Sequence, residues 1–301
     1  MKIAAHTMGT PHLSPFEAVD FFAEVGYNGV EFVSREDHRC SVTRDWSAAE
    51  RRRLKDQCQR LGLSIVCLAS YGTDINAELE PLASQELALL SENIVLAHDL
   101  GAPCVRLYGG RQVAHEEWAG SIDRVASRLR SLTGLCRQTG VKIAIENHFG
   151  TLTRTAAETM ALINAVGTPE VGVLYDQANI AYDRGEEYSE AIRLQAPHIL
   201  HVHAKDLVYL TGASESDVSS VTHLSSEKRI AKWVLLGHGV LQWPGILRAL
   251  AGIGYDRYIT VEYTYKPVYR DELPAPEIGM PECLHYLRGL VSAMEAPATA
   301  L

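Results

Sequence analysis

The chain predicts a (β/α)₈ barrel on three observations. Short β-branched runs alternate with longer helix-period runs nearly from end to end, eight such strands can be counted, and the turn after the first strand lacks a phosphate-binding glycine pattern. An open doubly wound sheet favours G-x-G-x-x-G at that turn, and here the strand runs into HTMGTPH instead.

The strands, in order, are KIAAH, GVEFV, SIVCLAS, CVRLYGG, KIAIENH, VGVLYD, ILHVHAKD and YITVEYT. Between them lie helices with legible starts. Ser14 to Glu17, Ser47 to Glu50 and Thr155 to Glu158 each match the capping box, in which a hydroxyl and a glutamate satisfy orphan N–H groups reciprocally. Several helices stop at glycine just before the next strand, in EVG, RLG, DLG and QTG. No linker divides the sequence, so residues 1–301 are read as one barrel domain. The longest break in the pattern, at about 207–236, reads as a loop insertion after the seventh strand, placed over the active face as a lid or partner surface.

Composition excludes several function classes. With 47% hydrophobic and 22% charged residues the chain can bury a substantial core. The net charge of −9, with RRRLK (residues 51–55) flanked by Glu50 and Asp56, argues for a solvated helix face and against a nucleic-acid partner. No apolar run approaches the ~18 residues of a membrane span, and the N-terminus does not read as a secretory signal, so the expected location is the cytoplasm. Six cysteines without C-x-x-C spacing read as reduced core thiols, not a zinc or disulfide framework.

Barrel enzymes collect their chemistry at the C-terminal ends of strands. Glu146 ends the fifth strand, Asp176 the sixth, a histidine of HVHAKD lies near the end of the seventh, and Glu262 lies in the eighth. Three buried carboxylates so close together need a compensating cation. One imidazole with three carboxylates is a hard-to-borderline donor set that suits Mn²⁺, with Mg²⁺, Co²⁺ or Zn²⁺ as alternatives. Spacing does not choose between His201 and His203, which alternation puts on one face.

Through GYNGVEF, IENH, LYDQAN, HVHAKD and VEYT the sequence resembles the xylose isomerase-like barrel superfamily. The likeness is to its sugar phosphate isomerase/epimerase group, which includes D-tagatose 3-epimerase, keto-inositol isomerases and inosose dehydratase. The resemblance implies Glu146, Asp176, His203 and Glu262 as metal ligands, with His203 selected by the H-x-K-D pattern. It also implies Glu146 and Glu262 as the acid/base pair on opposite faces of a small polyhydroxylated ketone, working through an enediolate. His148, in the E-N-H run, is implied to face substrate and to be able to protonate a departing hydroxyl. That keeps a lyase as the alternative: an inosose or dehydroshikimate-type dehydratase, or a 3-keto-C-glycoside deglycosidase, which would bring a small partner subunit. A non-catalytic sugar-binding barrel is the third reading.

Asn179 stands where the superfamily's trinuclear nucleases carry a histidine, which argues against their site and leaves it as a substrate-side polar group. Arg106 and Glu31 point inward, to grip substrate hydroxyls or to form buried ion pairs. Lys205 is read as contacting substrate or pairing with Asp206, and Trp243 as packing at a helix entry. His238 occupies a place often held by an acid, and the Arg-bearing segment of the ketose epimerases is missing. The exposed barrel helices would permit a homo-oligomer.

Overall fold

The alternation in the strands sorts side chains into two sets. On KIAIE, Ile143 and Ile145 face outward to the helices while Ala144 and Glu146 face the axis, and the other strands repeat this division. The outward set joins the apolar faces of the helices in one continuous core that includes Val30, Phe32, Val105, Leu107, Val173 and Val261, all essentially inaccessible. Each such Val, Leu or Ile stabilises the fold by roughly 1.5–3 kcal/mol. This cylindrical core holds the strands in a ring.

The computed structural model describes residues 1–210, 230–265 and 273–295. The strands among them are β1 (Lys2–His6), β2 (Gly29–Ser34), β3 (Ser64–Ser70), β4 (Cys104–Tyr108), β5 (Lys142–Glu146), β6 (Val171–Asp176), β7 (Ile199–Ala204), β8 (Asp206–Tyr209), β9 (Ala231–Val234) and β10 (Tyr258–Val261). The barrel closes in the order β1-β10-β7-β6-β5-β4-β3-β2, with every neighbouring pair parallel. All eight predicted strands are therefore barrel strands.

The helix signals hold in detail. Ser14 caps α1 (Pro15–Val25), Ser47 caps α2 (Ala48–Arg60) and Thr155 caps α5 (Ala156–Val166), each with a complete capping box. Such caps contribute about 1 kcal/mol apiece. Gly26, Gly101 and Gly140 end α1, α3 (Glu80–Leu100) and α4 (His115–Thr139) in the left-handed conformation.

The axis itself is layered. Ala4, Val66, Cys67, Cys104, Ala144 and Leu174 form an apolar floor, and above it the axis-facing residues are polar: Glu31, Arg106, Glu146, Asp176, His203 and Glu262. The six cysteines are buried and unpaired by disulfides.

The insertion expected at about 207–236 is partly described. Its two ends form an antiparallel hairpin, β8 with β9, pairing Asp206 with Val234 and Tyr209 with Ala231. Its centre, 211–229, lies outside the described residues. No helix among the described residues is long and apolar enough to cross a membrane.

Candidate metal centre at the barrel mouth

The four candidate ligands at the strand ends sit on consecutive barrel strands. Glu146 ends β5, Asp176 ends β6, His203 lies near the end of β7, and Glu262 directly follows β10, its N–H donating to the Ala204 carbonyl at 3.0 Å. One ligating atom from each lies within 4.8 Å of all the others, and all four side chains are buried. From His203 Nδ1 the nearest carboxylate oxygens are Glu146 Oε1 at 3.2 Å, Glu262 Oε2 at 3.6 Å and Asp176 Oδ2 at 3.9 Å. The opposite ring nitrogen, Nε2, faces Glu31 at 3.1 Å.

Two cations brace these carboxylates. Arg106, on β4, donates through Nε to Glu146 Oε2 at 2.6 Å and through Nη1 to the Ser70 carbonyl at 2.8 Å. Its guanidinium also lies over the rings of Tyr108 and Tyr71, 3.7 and 4.6 Å from their centroids. Of the two roles the sequence left open for Arg106, the geometry is that of a buried ion pair. Lys205 lies 2.5 Å from Glu262 Oε2 and 3.0 Å from Asp176 Oδ2. It does not pair with Asp206, which instead accepts the backbone N–H groups of Leu207, Gly237, Gly239 and Leu241 and so pins the GHGVL turn.

Protonation follows from these contacts. Burial pushes the Glu146 carboxyl up, but Arg106, His203 and His148 outweigh it and hold it well below the usual range. Glu262 is likewise lowered, against burial, by Lys205 and His203. Asp176 goes the other way: burial, with Glu262 and Glu146 adding, raises it to about 6 against Lys205. His203 is held well above the ordinary histidine value, because Glu31, Glu262 and Glu146 outweigh its burial.

The donor set fits a divalent ion on two counts. Asp176 Oδ2 is buried without an aligned hydrogen-bond donor, and a neutral His203 would aim its Nδ1 lone pair at three carboxylates. With His203 neutral, as a metal ligand must be, the described axis-facing residues hold four carboxylates (Glu31, Glu146, Asp176, Glu262) against two cationic side chains (Arg106, Lys205), all buried. A dication balances that surplus.

Beside the ligands, the loop after β5 is held by close packing. Thr153 Oγ1 donates to the Glu146 carbonyl at 3.0 Å and Thr153 O accepts the His148 N–H at 3.1 Å. A Cβ on Gly109 would meet Thr153 Cγ2 at 2.5 Å, so this approach needs glycine there. The loop presents His148, whose Nδ1 lies 2.7 Å from the Phe149 carbonyl and must therefore carry a proton. Burial lowers its pKa to about 4, so the ring is neutral and Nε2 is an acceptor. As placed, it can give a proton to a leaving group only after taking one up. Asn179 donates to Glu146 Oε1 at 3.2 Å and to the Asn147 carbonyl at 2.9 Å.

All the predicted residues thus meet at one mouth, and three further groups join them. Trp233, on β9, has its ring centroid 4.9 Å from the Lys205 ammonium and forms an aromatic cluster with Phe149 and Tyr182. Tyr71 and Tyr108 flank Arg106. Trp233 was not legible because it lies within the break after the seventh strand, where no strand pattern gave it a direction. Tyr108 ends CVRLY and Tyr71 directly follows SIVCLAS, and that strand-end position was their available signal.

Comparisons with known proteins agree with the fold. The Rhizopine catabolism protein MocC of Rhizobium meliloti is 28% identical over 226 residues, 69% of this chain and 64% of the relative. Inosose dehydratase of Geobacillus thermodenitrificans is 27% identical over 152 residues, so the match spans 50% of this chain and 49% of that relative's length. The IOLI protein structure with a bound zinc atom superposes with a TM-score of 0.72 at 18% identity, covering 97% of both chains. The family model described as xylose isomerase-like TIM barrel matches residues 19–288, and the chain belongs to that family.

Proposed function

We propose that the chain is a divalent-metal-dependent isomerase or epimerase of a small sugar or keto-polyol. The observation that carries this reading is the placement of the two glutamates. Glu146 and Glu262 stand at the two ends of the four-ligand arc, on either side of His203. Glu146, Asp176, His203 and Glu262 would hold the ion, with Mn²⁺ as the proposed occupant and Mg²⁺, Co²⁺ or Zn²⁺ as alternatives. When bound, the ion supplies charge that stabilises a ketone oxygen as it becomes an enediolate.

The chain's own residues do the proton work. One glutamate takes the proton from the carbon beside the ketone, leaving its electron pair in the enediolate, and the other, first protonated from solvent, gives that proton to the opposite face. Arg106 orients Glu146 and Lys205 orients Glu262, each favouring the carboxylate in the resting protein, and Tyr71, Tyr108 and Trp233 flank these two cations.

A second reading, a dehydratase, is favoured by the inosose dehydratase relative and by the open acceptor on His148. In that case Nε2 takes the proton from carbon, the enediolate expels the neighbouring hydroxyl, and the same nitrogen protonates it to water. The test is proton NMR of products from ketohexoses, keto-inositols, dehydroshikimate and 3-keto-glycosides with Mn²⁺-, Mg²⁺- or Zn²⁺-loaded protein. An epimer or isomer supports the first reading. Water loss moves the assignment to the second, and release of an aglycone to a deglycosidase. A folded E262Q variant that retains turnover sinks the two-glutamate mechanism.

A further inference from the structure

Glu31 lies on β2, across the barrel from His203, and is wholly inaccessible. Among the described residues its ion-pair partners are three histidines and no lysine or arginine. His201 Nε2 is 2.9 Å from Oε2, His203 Nε2 is 3.1 Å from Oε2 and 3.2 Å from Oε1, and His6 Nε2 is 3.7 Å from Oε1. The His6 tautomer is fixed independently: its Nδ1 accepts the Met8 N–H at 3.0 Å, so its proton is on Nε2. His201 Nε2 also lies 2.8 Å from Thr260 Oγ1. Three imidazoles therefore turn the same nitrogen toward one carboxylate.

Packing does not require this arrangement. One layer below, the same axis is filled by Ala4, Cys67, Ala144 and Leu174, which need no buried charge. The β2–β3 register also shifts between Val30 and Glu31, a local irregularity of the kind that re-aims a side chain.

We propose that Glu31 is a positioning residue that fixes which ring nitrogen of His203 faces the metal centre. Ion binding requires a neutral His203, which has one donor and one acceptor, so donation from Nε2 to Glu31 then leaves the lone pair on Nδ1, beside Glu146, Asp176 and Glu262. The reverse tautomer would set a lone pair against the Glu31 carboxylate and an N–H against the ion. His201, within hydrogen-bond distance at 2.9 Å, holds the carboxylate in place so that His203 meets it in one orientation, and His6 Nε2 stands 3.7 Å away on the same carboxylate. This inference rests on the metal reading of the four-ligand site.

The test uses Zn²⁺ as the probe. In zinc-loaded wild-type protein, ¹⁵N–¹H correlation of the His203 ring should show a protonated Nε2 and a zinc-bound Nδ1. The isosteric E31Q variant should bind Zn²⁺ roughly 10–100-fold more weakly by competition titration, and its His203 Nε2–H should exchange faster with solvent. A folded E31Q protein with wild-type zinc affinity overturns the proposal, as does a wild-type spectrum with the proton on Nδ1. If E31Q does not fold, the wild-type Nε2–H decides: slow exchange with solvent supports the proposal and rapid exchange overturns it. If wild-type protein takes up no Zn²⁺, Mn²⁺ or Mg²⁺, the metal reading itself fails and this proposal with it. If it binds the ion and E31Q binds equally, only the proposal fails.

Discussion

Arg106 holds Glu146 by one oxygen: Nε and Nη2 both reach Oε2, at 2.6 and 2.5 Å, while Oε1 is turned toward His203. The carboxylate is thus divided into an anchored side and a working side. Removing the guanidinium strands a buried negative charge, which costs about 3–5 kcal/mol. R106L should lose that much stability in metal-free protein, and saturating Mg²⁺ or Zn²⁺ should recover part of it because a bound ion stabilises the folded state. Urea unfolding with and without the ion checks this. An equal loss in both would mean that the ion does not touch Glu146.

Lys205 competes for the same oxygens. Its ammonium sits against Glu262 Oε2 and Asp176 Oδ2, oxygens of two of the candidate metal-binding carboxylates. K205M should therefore destabilise the metal-free protein yet bind Zn²⁺ more tightly, on the order of tenfold, because the ion meets one more uncompensated charge. Calorimetric titration measures the affinity. Weaker zinc binding in a folded K205M would show that Lys205 supports the site and does not oppose the ion.

His148 sets a pH signature. Its folded-state pKa of about 4 lies below the unfolded value near 6.5, so between those values the unfolded chain binds a proton that the folded chain refuses. This group's contribution leaves stability untouched above pH 6.5 and lowers it as pH falls toward 4, by roughly 2–3 kcal/mol at pH 4.5. His148→Asn should accordingly lose less stability than wild type between pH 7 and 4.5. A ring-proton NMR titration of His148 centred near 6.5 would contradict the buried neutral assignment.

Trp233 brings the inserted hairpin to the mouth, half-buried beside Lys205 and Phe149. Once a substrate is identified, W233A should raise KM several-fold with a smaller effect on kcat, because a wall residue contributes binding more than proton transfer. Steady-state kinetics separates the two. A fall in kcat alone would place Trp233 in the chemical step.

Much of this was legible because it is local. A capping box spans four residues, a strand's inward set follows from alternation, and Glu146, Asp176 and Glu262 are strand-end acids whatever the register. What escaped depends on contacts between distant residues. Nothing near Lys205 shows that it meets Glu262, 57 residues away, instead of its neighbour Asp206. The donor direction of His148 turns on one backbone carbonyl, and the ring of histidines around Glu31 spans 170 residues and more of sequence. The hairpin was read as a loop because two four-residue strands flank a long polar stretch.

The central claim is that four strand-end side chains hold a divalent ion used to remove a proton beside a ketone. It is tested most directly by proton NMR in D₂O on the keto-sugar and keto-polyol panel, with metal-stripped and Mg²⁺-, Mn²⁺- or Zn²⁺-reloaded wild-type protein. Mn²⁺ reactions are read after protein and metal are removed. The account predicts deuterium entering the carbon next to the ketone in the product or in recovered ketone, only when the ion is present. Turnover by the stripped protein equal to that of the reloaded protein, or turnover without any exchange at that carbon, would contradict it.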